Sequence, residues 1–350
     1  MPKKKVEDLV GGEVLASPVM TWDYQMILPT GAVIKKEYIP KLLDLDIVEV
    51  SVKADELHES ELVILKSDIE DAVRDKVKDI LERHTYHHNE ELAELSQTAD
   101  SIITNILEEE QVVERVFDIR ERSTDIYEHS ISTCSMAILT SLKLNVPKSR
   151  IHDIGVGCLL HDIGLRYTSV DFTKLNVAQL VGQELIEYKK HPVYGYSNLR
   201  DETWISNFTK NIILYHHERL NGSGFPLRTR EIPLECRIVN VCDVFDEMIC
   251  GITCKKVKVY EAVEYLKGYS GILFDKEVVD VFLSFVAVYP AGTHVITNEG
   301  EEAVVVGQNK DFQDRPVIRI IKDKDGNPVQ GEIIRDMVRI HNIFIDKVLE

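Results

Sequence analysis

The sequence contains no hydrophobic run long enough to cross a bilayer, and its first ten residues, MPKKKVEDLV, lack the apolar stretch of a signal peptide. We therefore expect a cytoplasmic protein with no membrane partner. Positive charge is also scarce, since 41 Lys and Arg face 59 Asp and Glu, a formal net charge of -18. This excess of acid argues against a polymeric nucleic-acid partner, which needs a basic surface, whereas bound metal ions can reverse the local sign for a small anionic substrate.

Cysteine is absent from both ends of the chain. The six cysteines, at positions 134, 158, 236, 242, 250 and 254, lie mostly inside apolar helical patterns. This placement is typical of reduced, buried thiols in a cytosolic protein rather than of a disulfide framework. Low-complexity segments and internal repeats are absent too, with one exception. The tetrapeptide HDIG occurs twice, nine residues apart, in the segment RIHDIGVGCLLHDIGL.

The length of 350 residues suggests two or three domains, and the 44% hydrophobic content is ample for a buried core. Hydrophobic periodicity predicts a small β-rich N-terminal domain over 1–56 and a helical connector over 57–118. The connector is predicted to be a pair of long helices that packs on the next domain or forms a homodimer. A helical domain over 119–285 holds nearly all the chemistry, and 286–350 should form a small β-rich C-terminal module with an Asp-Gly hairpin turn at 325–326. The expected fold class is mainly α.

Only one HDIG copy can face a given site, because nine residues of α-helix turn by roughly 900° and point the two copies to opposite sides. The first copy follows Pro147, a helix-start signal, and the helix dipole favours Asp153 there without any metal. The His-Asp pair of the second copy follows the apolar stretch VGCLL and comes just before Gly164, a candidate C-cap. A buried His-Asp pair needs partners, which a metal supplies. We therefore favour His161 and Asp162.

Other stretches supply residues of the same chemistry, since imidazole and carboxylate are both good ligands for divalent cations. DIYEHS places an Asp and a His four residues apart on one helix face, and KKHPVYG puts a His at a helix start. YHHERLNGSGFP puts two His at the end of an apolar helix. DVFDEM buries an Asp that needs a cation, and Asp246 after it is interpreted as a capping or salt-bridge partner. The candidate metal ligands are Asp125, His129, His161, Asp162, His191, His216, His217 and Asp243.

The ordered motifs YEHS, LLHDIG, HPVYG, HHERLNGSGFP and RIVNVCDVFD resemble the HD-GYP family, a branch of the HD superfamily of metal-dependent phosphohydrolases. The resemblance covers about 119–285 and implies an all-helical HD-type domain flanked by the β-rich segments. It implies two divalent ions, with Fe or Mn favoured by mixed His and carboxylate ligands. Asp125 stands where some members carry a Glu that binds a third metal. By resemblance, the two ions share Asp162 and are held by His129, His161 and Asp243 and by His191, His216 and His217.

The reaction implied by the resemblance is hydrolysis of cyclic di-GMP to pGpG and, in some members, to GMP. Two cations would lower the pKa of a bridging water, aim the hydroxide at phosphorus and neutralise the developing charge. Asp162 and Arg166 are the catalytic candidates. Lys255, Gly224 and Phe225 are the candidates for binding the substrate.

Three departures from the family pattern concern the binding of the substrate. The lysine of HDIGK is Leu165 here, and Arg166 is the candidate replacement. The stretch expected as DVFDALTSDRPYR reads DVFDEMICGITCK, so Ile252 replaces a phosphate-binding Arg while Lys255 keeps the later basic position. HHExxDGxGYP reads HHERLNGSGFP, with Phe225 in place of Tyr. The ligand set is complete, but the absence of one charge-assisted hydrogen bond to a phosphate typically costs a few kcal/mol.

Two alternatives to a cyclic di-GMP phosphodiesterase therefore stay open. One is a signalling or binding module that keeps its metals and acts through partner proteins. The other is a phosphohydrolase for a different nucleotide, with Leu165 and Phe225 shaping an apolar pocket.

Overall fold

A computed structural model gives the fold. It describes residues 3–6, 9, 15, 18–20, 26–29, 32, 34–35, 38–45, 47–51, 63–86, 90–108, 112, 115–120, 124–172 and 175–349. The chain forms two compact units, Met1–Glu61 and Leu62–Glu350. Within the residues described, no helix combines the length and the apolar character needed to cross a membrane.

The first unit contains two strand pairs and a short helix. β1 (Lys3–Lys5) pairs antiparallel with β4 (Glu49–Ser51), and β2 (Val19–Met20) pairs with β3 (Met26–Leu28). The helix α1 (Ile39–Asp44) has a proline in its first turn, where the missing N–H costs nothing. The unit encloses a small apolar core of its own. The expected β-rich character is confirmed, and α1 lies within the stretch KEYIPKLLDLD.

The second unit is helical over most of its length, as predicted. Short 3-10 segments lie at Glu90–Ala93, Ile163–Tyr167 and Val177–Gln179. Its α-helices, within the part described, are α2 (Ser67–Tyr86), α3 (Glu94–Glu108), α4 (Ile126–Lys143), α5 (Lys148–Leu160), α6 (Gly182–Tyr188), α7 (His191–Leu199), α8 (Asn207–Tyr215), α9 (Leu234–Cys250), α10 (Val259–Tyr269) and α11 (Lys276–Leu283). One hydrophobic core runs through them, and α4 packs against both α5 and α9 at its centre.

The central helices α4 and α9 are buried nearly all round, which explains their apolar sequences. Four hydroxyls of α4, including those of Ser135 and Thr140, donate to carbonyls four residues earlier, so these four are buried with their hydrogen bonds satisfied. Gly251 ends α9 with a left-handed φ of 82°, which glycine adopts without strain. All six cysteines are free and five are buried, as expected.

The predicted connector helices exist, but their extent is shorter than expected. α2 and α3 pack against α4 of the same chain, and α3 also packs on α5. The prediction of helix up to residue 118 is wrong at its end. There Phe117 forms a parallel β-bridge with Val286, its N–H donating to the carbonyl of Phe285 at 2.7 Å. The apolar side chain of Phe117 is buried in the core. A buried apolar residue at this position is compatible with a helix as well as with an extended segment, so the hydrophobic pattern did not distinguish them.

The C-terminal module is a five-stranded antiparallel sheet in the order β8-β7-β6-β5-β9. Its apolar residues form a separate small core. Asp118 accepts hydrogen bonds from the backbone of Ala291 and the amide of Gln308 and so links this module to the helices. The predicted Asp-Gly turn joins β7 to β8, and Gly326 has a φ of 83°. The strands are β5 (His294–Thr297), β6 (Glu302–Gly307), β7 (Val317–Lys322), β8 (Pro328–Asp336) and β9 (Ile345–Val348).

Candidate metal centre

Three histidines share one mode of attachment. His161 follows α5, His191 begins α7 and His216 follows α8. Each donates its Nδ1–H to the carbonyl oxygen three residues earlier, at 2.6, 2.8 and 2.9 Å respectively. This bond keeps a proton on Nδ1 and turns Nε2 toward the buried space, which is how proteins orient histidine to ligate a metal. The three helix termini thus aim three imidazoles into one buried space.

A fourth histidine, His129, is attached through a carboxylate instead. Its Nδ1 lies 2.8 Å from Asp246 Oδ2, and its Nε2 lies 3.1 Å from Asp243 Oδ1. Asp246 also accepts hydrogen bonds from Ser132 Oγ at 2.5 Å and from the Cys250 thiol at 3.2 Å. Asp246 therefore acts as the salt-bridge partner that the sequence suggested, and it orients His129 toward Asp243.

Asp162 lies between two sets of imidazoles. Its Oδ1 is 3.3 Å from His191 Nε2 and 3.7 Å from His216 Nε2. Its Oδ2 is 3.3 Å from His161 Nε2 and 4.0 Å from His129 Nε2. A carboxylate whose two oxygens face two ligand sets has the geometry of a bridge between two cations.

Seven of the eight predicted ligands fall into groups whose ligand atoms lie within 4.8 Å of one another. One group is Asp162, His191, His216 and His217, and another is His129, His161 and Asp243. A third group adds a residue that sequence analysis missed: His217, Asp243 and Glu247. Neither His161 Nε2 nor Asp243 Oδ2 has a hydrogen-bond partner among the described residues. Because buried polar atoms normally have partners, these two atoms fit a cation that would occupy the centre.

The pKa values of the first two histidines reflect the carboxylates around them. Burial lowers the pKa of His161, but Asp162 and Asp243 outweigh it and raise the pKa to about 10. Burial also lowers the pKa of His129, and Asp243 and Asp246 raise it well above its ordinary value. These imidazoles hold protons that an incoming metal must displace.

At the other side of the centre burial dominates. It lowers the pKa of His216, and it lowers the pKa of His217 still further with help from neighbouring His216. Both rings are therefore neutral at pH 7, which is the form that binds a metal. Burial, followed by the charge of Asp243, raises the pKa of Glu247 well above its ordinary value.

Asp125 is not brought into these groups. It is the N-cap of α4, and its Oδ1 accepts hydrogen bonds from the backbone N–H groups of Tyr127 and Glu128 at 2.8 and 3.0 Å. The first HDIG copy lies elsewhere as well. His152 Nε2 lies 3.0 Å from Ser96 Oγ, on the side of α5 that faces α3.

Gly164 does not have the predicted C-cap role. It lies within the 3-10 segment, where a Cβ would come 1.8 Å from the carbonyl oxygen of His191. Glycine is needed there because two backbones meet, one carrying Asp162 and one carrying His191. Gly224 has a similar role, since a Cβ on it would lie 2.4 Å from the carbonyl of His217. The sequence marked both glycines but could not reveal the segments they touch.

A cavity of about 350 Å³ opens beside the centre. The Phe225 ring stacks on His217 at 4.5 Å between centroids, and Lys189 lies 5.7 Å from the same ring. Arg219 and Glu247 also line this cavity, and neither was singled out in the sequence. Glu247 carried a signal, since it stands where the resembled pattern DVFDALTS has alanine.

The remaining predicted contacts lie apart from this cavity. Arg166 lines a narrower pocket that also reaches Asp162, and its guanidinium donates to the Tyr127 hydroxyl at 2.6 Å. Lys255 lines a different cavity, next to the end of β9. Leu165 and Ile252 belong to the hydrophobic core, with 1% and 5% of their surface exposed, so neither side chain is placed to contact a phosphate.

Comparison with known proteins places this geometry in context. The model of the HD domain matches residues 77–278, and that of a KOW domain associated with HD domain matches 294–350. A cyclic di-GMP phosphodiesterase of Pseudomonas aeruginosa is 29% identical over 220 residues, 62% of this chain and 53% of the relative. A cyclic di-GMP phosphodiesterase response regulator of Xanthomonas campestris is 32% identical over 173 residues, 48% of this chain and 45% of the relative.

The chain thus spans about half the length of these two relatives. Among solved structures, an HDG"Y"P protein from Bdellovibrio bacteriovorus shares the fold, with a TM-score of 0.52 at 19% identity, over 80% of this chain and 97% of that one. The HD model alone matches more than half of the present sequence. The chain belongs to the HD domain family and is related to the HD-GYP cyclic di-GMP phosphodiesterases.

Proposed function

We propose that the chain is a cytoplasmic, metal-dependent phosphodiesterase that hydrolyses cyclic di-GMP to pGpG, which some members of the family hydrolyse further to GMP. One observation carries the proposal: Asp162 turns its two oxygens to two separate sets of imidazoles. That geometry supports two cations at bridging distance, the arrangement that activates water and clamps a phosphoryl group in many hydrolases. We also propose the four-segment division at 56, 118 and 285, with the chemistry in 119–285.

The proposed ions are Fe or Mn, which mixed imidazole and carboxylate ligands suit. When bound, they supply Lewis-acid activation of water and neutralise charge on the phosphate. The residues of the chain do the rest of the work. Asp162 fixes the spacing of the two positions, and Asp246 orients His129. The proposed ligands are His129, His161, Asp162 and Asp243 for one ion and Asp162, His191, His216 and His217 for the other.

The cavity beside His217 is the proposed substrate site. Phe225 offers a ring face against which a base can stack, and Lys189 and Arg219 supply positive charge. Arg219 is held in place because its Nη1 donates to the carbonyls of His216 and Glu218 at 3.3 and 2.9 Å. The side chains of Lys189 and Arg219 provide the positive charge that the apolar side chain of Leu165 does not.

We propose a separate role for Arg166, on the other side of Asp162. Its guanidinium is held by Tyr127 and lies 5.5 Å from the centroid of the Phe172 ring. From there it is placed to meet a phosphate oxygen that approaches Asp162 through the narrower pocket. Lys255 and Gly224 stay predictions as substrate-binding residues.

The test compares the two HDIG copies. Asp162→Asn should abolish turnover of cyclic di-GMP, because the bridging charge is removed, and should reduce bound metal from two ions per chain. Asp153→Asn is the matched control, the same substitution in the other HDIG copy, which lies outside the ligand groups, and should keep activity and metal. Products are separated by chromatography after incubation with Mn²⁺ or with Fe²⁺ under anaerobic conditions.

The result that overturns the proposal is folded wild-type protein that binds two ions and leaves cyclic di-GMP intact. Burial of Leu165 and Ile252 favours one alternative in that case, a binding module. It predicts that the nucleotide binds to the metal-loaded protein without hydrolysis. A panel of other cyclic and linear nucleotides tests the remaining alternative, a phosphohydrolase with a different substrate.

A further inference from the structure

The hydroxyl of Tyr127 joins two segments that are distant in sequence. Tyr127 lies in the first turn of α4, and its hydroxyl oxygen accepts a hydrogen bond from Arg166 Nη2 at 2.6 Å. The same hydroxyl donates to Glu82 Oε1, on α2, at 3.4 Å. A phenol has one proton, so donation to Glu82 leaves the lone pairs of the oxygen for the guanidinium. The hydroxyl thus links α2 to the arginine that is proposed to meet a phosphate.

One side of α2 faces Tyr127 and the pocket next to Asp162. Lys78 Nζ lies 5.9 Å from the centroid of the Tyr127 ring. Leu81 lines the same pocket as Asp162 and Arg166. The residues at 78, 81 and 82 share one side of the helix, because the first is three and four positions from the others. The helix that the sequence predicted as a connector therefore forms part of the wall of the candidate site.

The local backbone does not by itself fix where the charge of Arg166 lies. Leu165 is buried in the core, whereas Arg166 is the next residue of the same 3-10 segment and lines the pocket. One residue of a 3-10 helix turns the side chain by about 120°, so the two side chains leave the backbone in different directions. Contacts with other side chains then decide where the long arginine ends.

Those contacts matter because the arginine side chain is flexible. Ordering it costs conformational entropy, so an arginine that is held before the ligand arrives binds an anion more tightly. The Tyr127 hydroxyl provides one contact, and the ring of Phe172, with its centroid 5.5 Å from the guanidinium carbon, provides another. A guanidinium has five N–H donors in a fixed fork, so one bond orients the group while other donors serve a phosphate.

We propose that Tyr127 is a positioning residue, supported by Glu82, that directs the Arg166 guanidinium toward a phosphate of the nucleotide. The inference rests on the proposed function, in which Arg166 meets a phosphate oxygen beside Asp162. It extends that function to α2, because Glu82 sets the direction of the Tyr127 hydroxyl. Glu82 lies outside the ligand groups, so its effect falls on the nucleotide rather than on the metals.

The first test measures the binding of pGpG to Mn²⁺-loaded protein by calorimetry. Tyr127→Phe keeps the ring and should weaken binding about tenfold, because the guanidinium loses the charge-assisted hydrogen bond that orders it. Arg166→Ala should weaken binding at least as much. In the double variant, Tyr127→Phe should add less than about twofold to the effect of Arg166→Ala, because it acts through that side chain. Metal analysis should give the wild-type number of ions in all variants.

The second test uses the sign of the effect at Glu82. Glu82→Ala removes the acceptor of the Tyr127 hydroxyl and should weaken pGpG binding by about threefold. Removal of a negative charge by itself favours binding of an anion, so a weakening reports the lost contact. Asp79→Ala is the matched control. Asp79 is an exposed acid on the same helix that pairs with Arg83 at 2.9 Å, so this variant should bind pGpG at least as tightly as wild type.

The outcomes separate this inference from the proposed function. Wild-type affinity in Tyr127→Phe, together with weakened binding by Arg166→Ala, overturns the inference and leaves the proposed function intact. An equal loss from Tyr127→Phe in the wild-type and Arg166→Ala backgrounds also overturns it, because Tyr127 then acts on the fold. Unchanged or tighter binding by Glu82→Ala overturns the role of α2. Metal-loaded wild type that neither binds pGpG nor hydrolyses cyclic di-GMP overturns the proposed function together with the inference.

Discussion

Replacement of Asp246 should weaken one proposed metal position and spare the other. Asp246 is fully buried and accepts the Nδ1–H of His129 at 2.8 Å, which directs Nε2 toward Asp243. In Asp246→Ala the ring no longer has this partner and is free to turn or to adopt the other tautomer. The positions around His191 and His216 do not depend on Asp246, since their Nδ1 atoms donate to backbone carbonyls.

The size of the effect follows from this arrangement. Removing a carboxylate that orients a ligating histidine typically costs 10–100-fold in metal affinity, or about 1.4–2.7 kcal/mol. Asp246→Asn keeps an acceptor for the His129 Nδ1–H and removes only the charge, so its loss of metal affinity should be near the lower end of this range. Ser132→Ala removes the bond from Ser132 Oγ to Asp246 Oδ1 but keeps the His129 contact, so it should have the smallest effect.

The assay is a titration with Mn²⁺ in competition with a chelator of known affinity, followed by metal analysis. One ion should bind to Asp246→Ala as it binds to wild type, and one should be removed at chelator concentrations that leave wild type loaded. Circular dichroism checks that the variant is folded. Wild-type affinity for both ions in folded Asp246→Ala would refute the assignment of His129 as an oriented ligand.

Three further predictions concern backbone packing, pH and the C-terminal module. Gly164→Ala should lower the free energy of unfolding, measured by urea denaturation, by several kcal/mol, because its Cβ would lie 1.8 Å from a carbonyl oxygen. Gly268→Ala is the control. Gly268 lies on α10 with open space around it, so this variant should be neutral or more stable by up to about 1 kcal/mol. Equal stability of the two variants would contradict the close approach. The apparent affinity for Mn²⁺ should rise about tenfold per pH unit between about pH 6 and 8 for each proton that the metal displaces. The reason is that His161 has a pKa of about 10 and is protonated over this range. If the affinity measured by calorimetry does not change with pH, no proton is displaced. Asp118→Ala should lower the stability of the contact between the helices and the C-terminal segment by about 1–3 kcal/mol, because it removes two hydrogen bonds. Faster proteolysis near residue 290 would measure this loss.

The choice between the two HDIG copies was accessible from the sequence because it depends on local facts. Helical periodicity separates His152 from His161, and the apolar stretch before the second copy shows which side is buried. The structure places His161 in the cluster and His152 against Ser96. Helix ends at His191 and His216 were predictable for the same reason, since a proline and an apolar run mark them locally.

Contacts between segments distant in sequence were not accessible. Gly164 was interpreted as a helix cap, and nothing in its own neighbourhood shows that the backbone of His191 lies against it. Asp125 and His129 share a spacing that predicts one helix face, but α4 begins between them, so Asp125 caps the helix. Lys255 was paired with the substrate by motif position, and nothing in that motif shows that Lys255 lines a cavity beside the end of β9.

The sequence by itself determined the mainly helical fold, the β-rich ends and the set of histidines and aspartates that the centre gathers, because amphipathic periodicity, turn residues and motif order are properties of short segments. Only the tertiary structure decided how these ligands divide, that Asp162 faces two imidazole sets and that Glu247 joins Asp243 beside the cavity. These facts depend on how α4, α5, α7 and α9 pack. The direction of a side chain's second oxygen is set by packing between helices, which a residue's neighbours in sequence do not encode.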